Sequence, residues 1–259
     1  MKTDIDQFQV RLATCDKDIR AAQRLRYRVF VEEMGATVDA ADHKAKIEQD
    51  RFDRFFDHLL LIDKRIDPGK YDNHVVGVYR LMRGEVAHDG AGFYGANEYD
   101  LSKLENSNRR VVELGRSCIA KSHRGGIGMH LLWDGLGDYV MTHKIEIMFG
   151  VASFHGTDIT PLKDALAFLH HNHLAPADMR VRARNSQYVA LNQLPSDKID
   201  RKAALRAIPS LIKGYLRLGG FVGEGAFIDR DFNTVDVCLL MDTKRMVAKY
   251  RNYYTQDRG

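Results

Sequence analysis

Residues 111–154 constrain the fold more than any other stretch of the chain. An apolar run, VVELGRSCIA (111–120), leads through KSHRGG into Ile127, Leu131, Leu132, Leu136, Tyr139 and Val140 at helical spacing, and then into a second apolar run, IEIMFGVASF (145–154). Short apolar runs bounded by turn residues read as buried strands, and the 3.6-residue stripe between them reads as a helix packed on one face. Strands joined through a helix lie parallel, because the crossover returns the chain to the same end of the sheet. The expected fold class is α/β, with a mixed central sheet flanked by helices.

The flanking segments extend this pattern. Residues 17–34 (KDIRAAQRLRYRVFVEEM) set Ala22, Leu25 and Val29 on one helical face, with Arg24 and Arg28 opposite and Gly35 as the stop. HLLLID (58–63) and HVVGVYRLM (74–82) predict paired strands around the turn DPGKYDN. Residues 83–110, rich in Gly, Asn and Asp, read as a long excursion holding a short helix. A helix is expected over about 161–171, strands over 181–191 and 234–241 on either side of the helix PSLIKGYLRLG, and a surface segment over 244–259.

With 259 residues, the chain fits one domain over 1–259, and 44% apolar with 29% charged residues is an ordinary soluble composition. No apolar run approaches the roughly 18 residues of a membrane span, and MKTDIDQFQ lacks a secretory apolar stretch, so a cytoplasmic location is expected. Cys15, Cys118 and Cys238 are too widely spaced for a zinc knuckle or a disulfide framework. His170, His171 and His173 sit where a helix C-terminus favours histidine, without supporting carboxylates, so no metal is expected. The net charge of +4 comes with no aromatic-basic motif, which argues against nucleic acid.

The loop after the first strand carries the first chemical signal. Gly125, Gly126 and Gly128 let a ligand approach the backbone at a helix N-terminus, a setting for phosphate, although a plain strand-to-helix turn fits the same residues. No Rossmann G-x-G-x-x-G occurs there. The loop resembles the acyl-donor motif of the GNAT acyltransferase superfamily, which reads Arg or Gln, two residues, Gly, one residue, then Gly or Ala. Gly126 and Gly128 match its glycines, whereas His123 stands where Arg or Gln is usual and Arg124 falls one residue late. A donor held through a single phosphodiester presents fewer phosphate oxygens than coenzyme A, which would suit a shortened cradle.

LRYRVFVEEMGA (25–36), DRFD (50–53), GVYRLM (77–82) and VVELGRSCI (111–119) together resemble the N-terminal half of acyl-homoserine-lactone synthases, GNAT-like enzymes that use acyl carrier protein thioesters. ELGRSC, LLWDGLGDYV, IMFGVASFHGTD, FLHH and LIKGYLRLGGFVGEGAFIDRDFNTVDVC are similar to the ornithine N-acyltransferases of bacterial ornithine-lipid synthesis, over nearly the whole chain. The resemblance implies a GNAT-like fold and transfer of a 3-hydroxyacyl group from acyl carrier protein to the α-amine of ornithine, giving a lyso-ornithine lipid. It implies no cofactor beyond the carrier's phosphopantetheine. Close relatives use glutamine; a coenzyme A-dependent acetyltransferase and a silent donor-sensing fold are the rival readings.

By the same resemblance Glu113 is the general base, with Asp53 and Arg116 beside it at the catalytic centre. Asp50, Arg80, Arg26 and Phe30 would bind the amino acid, and Ser117, Cys118, Ile119, Arg124, Gly126 and Gly128 the donor. Glu113 and Arg116 lie three apart, so a regular strand points them to opposite faces and only a bulge brings them to one. A plain Glu113–Arg116 ion pair is the simpler alternative, as a solvated cluster is for Asp50, Asp53 and Asp57. Cys118 reads either as an acyl-carrying thiol or as core. Lys121, Arg124, Lys144, Arg180, Arg182 and Arg184 could dock an acidic carrier or be ordinary surface charge, and LIKGYLRLGGFVG could make peripheral membrane contact.

Overall fold

The computed structural model describes residues 5–69 and 72–245, so most of the expected C-terminal surface segment, and part of the turn at 67–73, lie outside the described residues. Along the chain run β1 (Phe8–Leu12), α1 (Asp16–Arg26) continued by a π-helix (Tyr27–Glu33), α2 (Ala40–Ala45), β2 (Asp57–Asp63) and β3 (Val75–Arg83). Then come α3 (Gly84–Asp89), β4 (Tyr99–Asp100), α4 (Ser102–Glu105), β5 (Val111–Ile119), α5 (Gly128–Thr142), β6 (Ile147–His155) and α6 (Lys163–His173). The last part holds β7 (Arg182–Ala183), β8 (Tyr188–Val189), α7 (Arg201–Ala207), α8 (Ser210–Arg217), β9 (Phe221–Val222), β10 (Ala226–Asp229) and β11 (Thr234–Asp242). The chain divides into two compact units, Met1–Ala91 with Leu114–Lys144, and Gly92–Glu113 with Ile145–Gly259.

In the first unit the strand order is β1-β2-β3-β5, and the first three strands are antiparallel. Strand periodicity explains how helices cover both faces. Leu60 and Ile62 join Ala21, Ala22, Leu25 and Val29 of the first helix in one buried cluster. Leu59 and Leu61 point the other way, where Gly135 and Leu132 of α5 lie close. A register shift between Leu61 and Ile62 leaves Val76 unpaired with β2, and Val75 and Val78 then both face α1. The first helix ends as expected at Gly35, whose φ of +79° suits glycine and whose N–H bonds Val31 O.

In the second unit β6 and β11 pair antiparallel along their whole length, from Thr234↔His155 to Asp242↔Ile147. Every residue of β11 is buried, the mark of a central strand. The first residues of β5 pair parallel with β6 over Val111↔Ile147 to Glu113↔Phe149, as the strand–helix–strand pattern requires. The fully buried Tyr99 donates its hydroxyl to Asp236 O at 2.9 Å and Gly225 O at 3.1 Å.

One expectation needs correction. Residues 181–191 are not one strand but β7 and β8, separated by a 3-10 turn at Asn185–Gln187. Arg182 turns its guanidinium onto Asn185 and Glu224 there, which a polar run permits and an apolar strand would not. The Gly-rich stretch after α8 forms β9 and β10. β1 and α7, with few buried apolar positions, left no periodic signal.

Candidate active site

In the first unit, three guanidiniums and three carboxylates form one cluster. Arg26 comes from the last turn of α1, Glu48, Asp50 and Asp53 from the connection before β2, Arg80 from β3 and Arg116 from β5. Arg26 donates to Glu48 Oε2 at 2.5 Å and to Asp53 Oδ1 at 2.7 Å. Arg80 Nη1 reaches Asp53 Oδ1 at 2.6 Å and Asp50 Oδ2 at 2.9 Å, with its guanidinium 4.3 Å above the Phe56 ring. Arg116 donates to Glu48 Oε1 at 3.1 Å and lies 3.5 Å from Asp50 Oδ2. Gln23 adds a 2.9 Å bond to Asp53.

The charges balance, which is what makes the burial tolerable. Burial alone would raise the Glu48 carboxyl, but Arg116, Arg26 and Arg80 overcome it and hold it at about 2. Asp53 is likewise held well below the usual carboxylate range, its own burial outweighed mainly by Arg26. Burial lowers Arg80, helped by Arg26 and Arg116. The side chains of Arg26 and Arg80 are 0% exposed, while those of Asp50 and Arg116 reach 18% and 11%. Asp50 and Arg116 therefore form the cluster's outer edge, and Asp53 its interior.

Arg116 has φ +51°, a left-handed conformation that costs a non-glycine residue about 1 kcal/mol or more. Its contacts to Glu48 and Asp50 hold it there, and it interrupts the regular alternation of β5. Asp57 is not part of the cluster: Tyr139 of α5 donates to it at 2.7 Å. Phe30, on the π-helix, packs partly buried against the α1 cluster.

Glu113, in the second unit, is 2% exposed. It accepts backbone N–H bonds from Tyr94 at 2.8 Å and Gly95 at 2.6 Å, one on each oxygen.

The donor loop belongs to the first unit. Gly125 has φ +73°, and Gly128 lets α5 approach the sheet, since a Cβ there would lie 3.1 Å from Leu61 Cδ2. Gly126 faces open space apart from His123 O at 4.0 Å. His123 is 3.1 Å from Asp63 and 2.9 Å from Ser122 Oγ, and Arg124 bonds Ile119 O at 2.9 Å and Glu33 at 2.8 Å. Ser117 Oγ is buried without a hydrogen-bond partner among the described residues. Cys118 is buried in the cluster that packs on α1, and burial pushes its thiol up to about 12.

An acetyltransferase (GNAT) domain model matches residues 25–134, from α1 through the donor loop into α5. The L-ornithine N(alpha)-acyltransferase of Rhodobacter capsulatus is 53% identical over 249 residues, 96% of this chain and 95% of that protein. The chain belongs to the L-ornithine N(alpha)-acyltransferase family. The Brucella abortus member is 44% identical over 252 residues, covering 96% of this chain and 89% of its own. An N-acyl amino acid synthase from uncultured soil microbes shares the fold at a TM-score of 0.53 and 10% identity, over 96% of this chain and 98% of that one. The fold is GNAT-like and the protein is an N-acyltransferase.

Two members of the buried cluster, Glu48 and Gln23, were not among the residues singled out in the sequence. Glu48 stands in the charged run KAKIEQDRFD, where nothing local separates a buried carboxylate from a solvated one. In the second unit Glu98, Asp229 and Asp236 bring carboxylate oxygens within 4.8 Å of one another, a donor set of the kind hard cations take, although acidic groups also gather without one. His171 of the histidine run instead approaches Leu194 O at 3.0 Å.

His58, beside this cluster, gives a pH prediction. Burial, with Arg26 further lowering it, takes its pKa down to about 4. The unfolded chain takes up that proton below about 6.5, the folded protein only below about 4. Stability is therefore full above pH 6.5 and falls by roughly 3 kcal/mol as pH drops towards 4. Glu48 and Asp53, depressed in the fold, add a further loss below their unfolded values. Urea midpoints at pH 7, 5 and 4 should show the first loss in the wild type and not in His58→Gln; an identical loss in both assigns it elsewhere.

Proposed function

We propose that this chain, acting as one acyltransferase domain, transfers a 3-hydroxyacyl group from the phosphopantetheine thioester of acyl carrier protein to the α-amine of ornithine, giving a lyso-ornithine lipid. The observation that carries the reading is the 53% identity, over 96% of the chain, to a relative named for ornithine Nα-acylation. The site chemistry agrees with it. An α-amino acid presents an ammonium and a carboxylate, and the outer edge of the buried cluster offers one group of each sign, Asp50 and Arg116. Arg26, Arg80, Glu48 and Asp53 position that pair by forked hydrogen bonds.

In the reaction, the amine nitrogen attacks the thioester carbonyl, the C–N bond forms, and the C–S bond breaks as the sulfur leaves and takes up a proton. Glu113 accepts the proton that the ammonium must lose. Backbone N–H groups of the donor strand stabilise the tetrahedral oxyanion, and Ser117, whose hydroxyl lacks a partner among the described residues, is suited to bond the donor. His123 and Arg124 are already committed to Asp63 and Glu33, so the loop presents backbone N–H groups more than cations. That fits one phosphodiester better than a pyrophosphate. Work at the membrane periphery suits an amphiphilic product, and no helix among the described residues is long and apolar enough to cross a bilayer.

Purified protein is expected to consume 3-hydroxyacyl carrier protein at least tenfold faster than acetyl-CoA, with ornithine preferred to glutamine. Mass spectrometry of the acylated product reads both comparisons. Equal use of acetyl-CoA overturns the donor assignment, and a glutamine product overturns the acceptor.

A further inference from the structure

A basic stretch runs through α7 and α8. Residues 197–217 hold Lys198, Arg201, Lys202, Arg206, Lys213 and Arg217 against Asp197 and Asp200, a net +4, with Lys198 lying 4.0 Å from Asp197. Asp200 is spent capping α7, accepting the N–H groups of Lys202 at 2.9 Å and Ala203 at 3.0 Å. Ala204 and Ile208 are buried as α7 packs on α6. Arg201, Lys202, Leu205 and Arg206 share the outer arc, where every one of them is exposed. Lys202 and Arg206 have no acidic partner among the described residues, whereas Arg109, Arg124 and Arg182 are each paired with a carboxylate. Leu205, 42% exposed, lies on the same arc between Arg201, Lys202 and Arg206.

We propose that this outer face of α7 docks the enzyme on an anionic lipid bilayer. Arg201, Lys202 and Arg206 meet the headgroups while Leu205 enters the acyl boundary, and the long cationic side chains extend to the interface around it. Charge alone would also suit an acidic protein. The apolar centre, together with a product that carries a fatty chain, selects the lipid surface, and in this choice the inference rests on the proposed function.

Vesicle co-sedimentation of the full chain tests it without requiring turnover. The wild type should bind vesicles of phosphatidylglycerol and phosphatidylcholine, release them in high salt, and ignore phosphatidylcholine alone. Lys202→Glu with Arg206→Glu should weaken binding about tenfold or more, and Leu205→Ser several-fold, with acyl transfer from a soluble donor unchanged. Equal binding to both vesicle types, no binding to either, or charge-reversed protein that binds like wild type overturns the proposal. So does a charge reversal that raises the Michaelis constant for acyl carrier protein and leaves vesicle binding intact, since the face would then serve the carrier. If vesicles bind as expected and ornithine is not acylated, the docking face stands and the proposed acceptor falls.

Discussion

Asp53→Ala is expected to cost about 3–5 kcal/mol of stability, the usual result of removing one partner from a buried ion cluster. For a chain of this size that is a fall in Tm of about 10 °C. Asp53 is bonded by both Arg26 and Arg80, and both guanidiniums are fully buried, so neither can turn to water for compensation. Asp53→Asn keeps the shape and removes the charge, and should cost nearly as much. Asp50 gives the contrast. It lies on the cluster's edge with its side chain 18% exposed, and Asp50→Asn should cost little stability while raising the Michaelis constant for the amino acid. Thermal unfolding and steady-state kinetics on both variants separate the roles. If Asp53→Ala unfolds within about a degree of wild type, Asp53 is not a keystone of the fold and its burial serves binding instead.

The strands that support this cluster were legible in the sequence because each is a dense apolar run between turn residues. β2, β3, β5, β6 and β11 all fall within a few residues of expectation, and so do α1, α5, α6 and α8. Long-range pairing was less accessible. That Arg26 and Arg80 share Asp53 across 27 residues in each direction leaves no trace in local periodicity, and only the family resemblance brought the three together. Glu48 shows the limit: a carboxylate four residues from a lysine and next to a glutamine reads as solvent-facing until the fold closes over it. The left-handed Arg116 is similar, since its conformation is imposed by Glu48 and Asp50 rather than by its own preference. α7 was missed for the opposite reason, because its exposed face is the part that carries information.

Glu113→Gln is expected to lower kcat by about 10²–10⁴, the usual worth of a positioned acid or base, with a smaller effect on the Michaelis constants. The amine of the acceptor arrives mostly protonated at neutral pH, so raising the pH should partly restore the variant by supplying free amine. The structure adds a second effect to separate from this one. Both Glu113 oxygens accept backbone N–H bonds, from Tyr94 and Gly95, and the amide of glutamine would set an NH2 against one of those donors. An anchoring role alone predicts a stability loss of about 1–3 kcal/mol and a slower rate with an unaltered pH profile. Gly95→Ala probes the anchor by itself, because its Cβ would lie 2.9 Å from Glu113 Oε1 and displace the carboxylate without neutralising it. It should slow turnover and keep the wild-type pH dependence, whereas Glu113→Gln should change that dependence. Should the folded Glu113→Gln protein keep near wild-type turnover at neutral pH, Glu113 only holds the 94–95 turn against β5. The proton would then go to another group, and His58, held neutral beside the cluster with its Nδ1 unpartnered among the described residues, is the next to test.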